Sequence, residues 1–224
     1  MSPVRPASRL WLSLALGLGC SPAPEPPKPP PAPSPPAGRD VFLFLGDSLV
    51  AGYGVAAEDA FPALLEERWR REAVPWRARN AGVSGSTTAG VLENLDWTLA
   101  ADVHSLFLCV GANDGLRGLD LESSRANLAA IVERARGRGV RVVLAGMKLP
   151  PNYGPGYTRR FERLYPELAR RYGVALMPFL LEGVAGLKAM NVADGIHPNE
   201  AGHRRLADNV HAFLAREGLL RGPR

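Results

Sequence analysis

Three residues of this chain carry the parts of an acyl-transfer site: Ser48, Asp194 and His197. Ser48 stands in Gly46-Asp47-Ser48-Leu49, directly after the apolar run Val41-Phe42-Leu43-Phe44-Leu45. A serine hydroxyl is a weak nucleophile until a base takes its proton, and that base needs a third group to fix its tautomer. Asp194-Gly195-Ile196-His197 supplies both, because in a tight turn a carboxylate three residues before an imidazole reaches it. Pro198 biases His197 away from helical backbone, so the ring leaves from a loop. Read alone, Ser48 is a helix N-cap and Asp47 a turn residue. What gives Ser48 another meaning is its position at the end of a buried strand, since open α/β sheets present reactive groups at the carboxyl edge.

The elements that position these residues are legible as five apolar runs at 41–45, 75–79, 105–110, 140–147 and 174–178. Between them, helical spacing puts Leu128, Ile131, Val132 and Ala135 on one face, and Phe161, Leu164, Leu168 and Tyr172 on another. A last helix follows Asn199, with Leu206, Val210, Phe213 and Leu214 facing inward. Near-continuous apolar strands alternating with helices predict a three-layer α/β/α fold around a parallel sheet. Right-handed crossovers then favour the flavodoxin-like order 2-1-3-4-5, in which the loops leaving strands 1, 2 and 3 converge.

Those loops are the polar, glycine-bearing ones. Strand 1 delivers Ser48, strand 2 is followed by Asn80-Ala81-Gly82-Val83-Ser84-Gly85-Ser86-Thr87, and strand 3 by Gly111-Ala112-Asn113-Asp114-Gly115. Backbone N–H groups beside a glycine and an asparagine amide are donors of the kind that stabilise a tetrahedral oxyanion. The four segments resemble the blocks of the GDSL, or SGNH, hydrolase family. Gly111 to Gly118 and Leu149-Pro150-Pro151-Asn152-Tyr153-Gly154 resemble its bacterial thioesterase I, lysophospholipase L1 and arylesterase branch. The resemblance spans 41–216. It implies Ser48 as nucleophile, His197 as general base and then acid, Asp194 as its orienting carboxylate, and an oxyanion hole of the Ser48 N–H, Gly85 and Asn113. Gly82 is the rival to Gly85, and Ser86 stands where many relatives carry aspartate. The Gly-x-Ser-x-Gly elbow of the α/β-hydrolases is absent.

After strand 4, Leu149, Pro150 and Tyr153 are expected to wall an acyl pocket, in a segment that could equally be an ordinary long connection. His104 ahead of strand 3, with His203 and His211 on the last helix, reads as surface or interface residues rather than ligands. Without a His/Asp/Glu cluster at ligand spacing no metal is expected, and without Gly-x-Gly-x-x-Gly no dinucleotide. No cofactor is implied.

Ahead of the domain, Arg5 and Arg9 precede the apolar Leu10 to Leu18, the plan of an export signal over residues 1–19. Gly17-Leu18-Gly19-Cys20 resembles a lipoprotein cleavage site, with Gly17 where leucine is usual, and so implies a lipid on Cys20; plain secretion and an uncleaved anchor are the alternatives. Ten prolines occupy the fifteen positions 22–36, so residues 20–40 read as lipidated cysteine plus an extended spacer and 41–224 as the hydrolase domain. At about 3.1 Å per residue such a spacer reaches on the order of 50 Å. The net charge of +5 falls to +3 once residues 1–19, with Arg5 and Arg9, are set aside, too mild an excess for a nucleic-acid footprint. Cys109, inside an apolar run, has no partner cysteine in the domain and reads as a buried apolar residue.

The sequence therefore predicts an exported, membrane-anchored monomer facing the periplasm or cell exterior, or a secreted one if Cys20 is not lipidated. Its expected activity is hydrolysis of carboxylic esters or thioesters, with aryl, acyl or lysophospholipid-like substrates. Carbohydrate O-deacetylation on the same scaffold is the enzymatic alternative, with Tyr53, Trp97 and Tyr153 the aromatics such a site would use. A non-catalytic surface-anchored binding module is the other.

Overall fold

The structure, a computed structural model, describes residues 40–222. The export signal, Cys20 and the proline-rich spacer lie outside the described residues. Strand β1 (Val41–Gly46) leads through α1 (Ser48–Ala51) and α2 (Phe61–Arg71) to β2 (Arg77–Gly82). The short helices α3 (Thr88–Glu93) and α4 (Leu95–Thr98) lead to β3 (Val103–Cys109), and α5 (Ala112–Leu116) and α6 (Leu121–Gly137) to β4 (Arg141–Ala145). Helix α7 (Pro155–Tyr172) precedes β5 (Ala175–Met177), and α8 (Glu200–Arg216) closes the fold.

All strand pairs are parallel and their order is β2-β1-β3-β4-β5, the order read from the sequence. Helix α2 packs on α8, while α6 packs on α3 and α7, which gives the two outer layers. The inward stripes of α6, α7 and α8 are the ones the spacing predicts, all buried. Under β1, Phe44 meets Phe61 edge-on at 5.6 Å and Phe42 meets Trp69 at 5.6 Å, which fixes α2 against the strand. Aromatic pairs of this kind add to the burial of their area.

Two expectations are corrected. Strand β2 lies at 77–82 rather than 75–79, and Arg77-Ala78-Arg79-Asn80-Ala81-Gly82 is half exposed because it is an edge strand, whereas β1 and β3 are buried throughout. Two of the histidines are interior: His104 lies within β3, 1% exposed and stacked on Trp76 at 4.2 Å, and His203 is fully buried on α8. His211 accepts from the Trp69 indole at 3.2 Å. Each ring finds an aromatic or hydrogen-bonding neighbour, and this offsets the cost of taking it out of water.

The chain enters β1 at the amino edge of the sheet. There Asp40 binds Arg77 through two contacts of 2.7 and 2.8 Å, and Val41 N–H donates to Asp102 at 3.1 Å. The last turn after α8 returns to that edge, where the Trp76 indole donates to the Leu219 carbonyl at 3.1 Å.

Candidate active site

At the opposite, carboxyl edge, Ser48 opens α1. Asp47 caps that helix: its side chain accepts from Leu49 N–H at 3.1 Å, and its carbonyl accepts from Val50 and Ala51. Among the first donors of the helix, the N–H of Ser48 makes no hydrogen bond within the described residues, as expected at a helix N-terminus. Asp47 itself is 1% exposed and its Oδ2 has no partner. Burial pushes its carboxyl up to about 6, against the opposing pull of the Leu49 N–H and of the His197 ring.

His197 arrives on a turn closed by an antiparallel bridge between Asn191 and Pro198, with Val192 N–H donating to the His197 carbonyl at 2.9 Å. The turn is anchored from below by Asn191, which the sequence reading did not single out. Its amide donates to the carbonyls of Val184 at 2.7 Å and Leu187 at 2.9 Å. On this turn His197 Nδ1 lies 2.6 Å from Asp194 Oδ2, and Nε2 lies 2.8 Å from Ser48 Oγ. The other oxygen of Asp194 accepts from the N–H groups of Ile196 and His197 at 2.9 and 3.0 Å. Burial opposes ionisation of Asp194, but these ring and backbone hydrogen bonds outweigh it and hold the carboxyl at about 2. A charged Asp194 fixes the proton on Nδ1 and turns the Nε2 lone pair to Ser48.

The loops after β2 and β3 meet beside Ser48. The Asn113 amide donates to the Ser86 carbonyl at 2.9 Å and keeps a second N–H. Because the contact uses the backbone of residue 86, a serine there serves as well as another side chain. Gly85 and Gly82 stand in different surroundings. A Cβ on Gly82 would stand 2.2 Å from the Ala51 nitrogen, so this glycine lets α1 lie against β2, and its N–H is taken by Asn80. Gly85 has φ +82°, a conformation that favours glycine, and its N–H bonds to nothing among the described residues.

Beneath these donors lies a buried polar cluster that single residues in the sequence do not reveal. Asp114, 2% exposed, accepts from Thr88 N–H at 2.9 Å, Thr88 Oγ1 at 2.5 Å and Ser124 Oγ at 3.0 Å. It therefore ties α3, α5 and α6 together directly behind Asn113. The Tyr165 hydroxyl of α7 donates to the Val110 carbonyl at 3.1 Å, and burial raises that phenol well above its usual range, so it remains a donor. Cys109 is likewise fully buried, its thiol pushed up by burial and by the charge of Asp47, which makes it no nucleophile.

A groove of about 520 Å³ opens from Ser48 and His197 and is mainly apolar. Leu149 and Pro150 line it together with Leu116, Met147, Phe179 and Ile196. Tyr153 stands outside its lining, because its hydroxyl is turned to the Leu116 carbonyl at 3.0 Å. It buttresses a groove residue instead of forming the wall. No group of three or more His, Cys, Asp or Glu among the described residues could hold a metal ion.

A parallel five-stranded sheet with a serine, an imidazole and a carboxylate in hydrogen-bond series at its carboxyl edge defines a class of serine-type hydrolases. Residues 44–205 match the model of the GDSL-like lipase/acylhydrolase family, and the chain belongs to that family. It is 42% identical over 179 residues to esterase TesA of Pseudomonas aeruginosa, an alignment covering 80% of this chain and 89% of the relative. It is 36% identical over 173 residues to thioesterase 1/protease 1/lysophospholipase L1 of Escherichia coli strain K12, covering 77% and 82% of the two chains. The crystal structure of TesA superposes with a TM-score of 0.76 at 41% identity, over 79% of this chain and 99% of that one.

Proposed function

We propose that this protein hydrolyses carboxylic esters or thioesters through an acyl-enzyme on Ser48. The observation that carries the reading is the series Asp194, His197, Ser48, with contacts of 2.6 and 2.8 Å in one line of proton transfer. His197 Nε2 takes the hydroxyl proton as Oγ attacks the carbonyl carbon, and Asp194 stabilises the imidazolium that forms. The developing oxyanion is met by the N–H groups of Ser48 and Gly85 and by the free N–H of Asn113. Collapse breaks the bond to the leaving oxygen or sulfur, which receives the proton from Nε2. Water then attacks the acyl-enzyme with His197 again as base, the bond from the acyl carbon to Ser48 Oγ breaks, Nε2 returns its proton to Oγ and the acid leaves, so the cycle needs no cofactor.

The acyl chain is assigned to the groove along Leu149, Pro150 and Leu116, since a mainly apolar lining favours a hydrocarbon over a sugar. The substrates proposed are aryl and acyl esters, acyl thioesters and lysophospholipid-like esters. Names of relatives that include esterase, thioesterase and lysophospholipase support this range. The same proposal puts the enzyme outside the cytoplasm as a monomer held to a membrane by a lipid on Cys20, a reading supported by the sequence from Arg5 to Cys20 alone.

The test is a panel of esters, thioesters, lysophospholipids and acetylated sugars turned over by the protein and by Ser48→Ala. Hydrolysis of acyl esters with trapping of the acyl group on Ser48 is expected. Equal activity in the Ser48→Ala protein would overturn the mechanism.

A further inference from the structure

The groove accounts for one half of an ester, and the other half must lie elsewhere. Once Oγ has bonded to the carbonyl carbon, the departing oxygen has to sit where Nε2 of His197 can hand it a proton. The group attached to that oxygen therefore lies beside the imidazole. The aromatic side chain that flanks that ring without lining the acyl groove is Tyr53. Its ring lies 4.6 Å from the His197 ring at an interplanar angle of 47°, it is 53% exposed, and it takes no part in lining the groove.

Tyr53 is also held in place. Gly52, with φ 80°, ends α1 in the left-handed conformation and turns the chain back, so that the N–H groups of Gly52 and Tyr53 both donate to the Ser48 carbonyl at 3.1 Å. On its other side, Gly54 lies close enough to Val192 that a Cβ there would come within 3.1 Å of the valine side chain. The ring is thus tied by its backbone to the residue bearing the nucleophile and flanked by the loop bearing the base. Its hydroxyl makes no hydrogen bond within the described residues, so that end of the side chain is not used by them. Other aromatics near the site or exposed do not compete: Phe179 lines the acyl groove, Tyr153 spends its hydroxyl on Leu116, and Trp97 lies on α4, ahead of β3 and away from the carboxyl edge.

We infer that Tyr53 is a specificity-determining residue for the leaving group, a flat apolar platform beside His197 that favours esters of aromatic alcohols over esters of compact aliphatic ones. The inference rests on the acyl-enzyme reading of Ser48 and extends it to the alcohol side. An offset or edge-on contact between two rings is worth about 0.5–1.5 kcal/mol, which corresponds to about a 2- to 10-fold preference in acylation.

The experiment uses the full chain as wild type, Tyr53→Phe and Tyr53→Ala with two esters of one short acid, phenyl and hexafluoroisopropyl, whose alcohols are of comparable acidity. In Tyr53→Ala the ratio of kcat/KM for phenyl over hexafluoroisopropyl ester should fall by about 2- to 10-fold, and Tyr53→Phe should restore it. Hydrolysis of the acyl-enzyme, which no longer contains the alcohol, should keep its wild-type rate in a single-turnover measurement. Equal losses on both esters, or a slowed acyl-enzyme hydrolysis, would show Tyr53 to be only a support for the imidazole. A wild-type ratio in Tyr53→Ala would remove it from substrate contact. Failure of the underlying mechanism looks different: no acyl-enzyme would form in the wild type with either ester.

Discussion

Arg117 Nη2 donates to the Gly85 carbonyl at 3.0 Å, which ties the end of α5 to the loop after β2. The two donors assigned to the oxyanion on these loops, the Gly85 N–H and the Asn113 amide, are thereby linked a second time, beyond the bond from Asn113 to Ser86. Arg117 touches no reacting atom, so it is a positioning residue. Loss of one such hydrogen bond costs about 1 kcal/mol, and because the oxyanion exists only in the transition state the cost should fall on kcat. Arg117→Met is expected to lower kcat about fivefold with KM little changed, and Arg117→Lys to recover part of it. Steady-state kinetics on one ester decides it, and a pure KM effect would contradict the assignment.

Asp194 is held at about 2, so it stays charged through the whole working range and its own titration does not limit activity above about pH 3. Asp194→Asn keeps an acceptor for the Ile196 and His197 N–H groups but permits the wrong imidazole tautomer. By analogy with other triads, kcat should fall by about four orders of magnitude, while Tm at neutral pH falls only modestly, because the lowered carboxyl stabilises the fold above pH 3.8 but is partly exposed. Turnover and Tm measured together separate this outcome from unfolding.

Two buried groups set opposite pH dependences of stability. Asp47 keeps its proton up to about 6 in the fold against 3.8 as a free side chain, so its contribution is full below 3.8 and is lost as pH climbs to about 6. His203 is held down to about 4 against 6.5, first by burial, so its contribution is full above 6.5 and is lost as pH falls to about 4. Across the shared interval the slopes oppose each other and flatten the wild-type profile. Relative to wild type, Asp47→Asn should gain up to about 2–3 kcal/mol between pH 4 and pH 8, and His203→Gln should gain a similar amount between pH 7 and pH 4. Denaturant unfolding at several pH values gives both differences directly.

Leu149 lines the groove, and a Cβ placed on Gly115 would stand 2.6 Å from its Cδ2, so Leu149 fills the space between that wall and α5. Leu149→Ala should shift the preferred acyl chain to greater length. Tyr153→Phe, which removes only the donor to Leu116, should loosen the same wall and broaden the profile without moving its optimum. Acyl-length profiles of the two variants check this, and unchanged profiles would free the groove of any part in acyl selection.

The sequence made much of this molecule legible because the relevant signals were local or periodic. Strands β1 and β3 are buried throughout because helices cover both faces, and α6, α7 and α8 each carry a stripe that only one orientation can bury. The meeting of Ser48 with His197 followed from topology, since the chain order and the carboxyl edge admit few arrangements. What was not legible depended on contacts between distant residues with no periodic signature. Edge strand β2 has a polar composition that apolar runs cannot mark, and the interior places of His104 and His203 depend on Trp76 and Phe61. The bond from Arg117 to Gly85 joins two loops that only the finished sheet brings together.

Both ends of the described chain lie at the amino edge of the sheet, where Asp40 binds Arg77 and the Leu219 carbonyl receives the Trp76 indole, while Ser48 and His197 lie at the carboxyl edge. Whatever is grafted onto the described domain at its Asp40 or Leu219 end, whether a solid support, a reporter or a second enzyme, therefore attaches to the back of the molecule. An immobilised layer coupled through its ends would expose every groove mouth to the bulk solution. The same polarity lets the ends be joined and the chain reopened elsewhere without crossing the path by which substrate arrives.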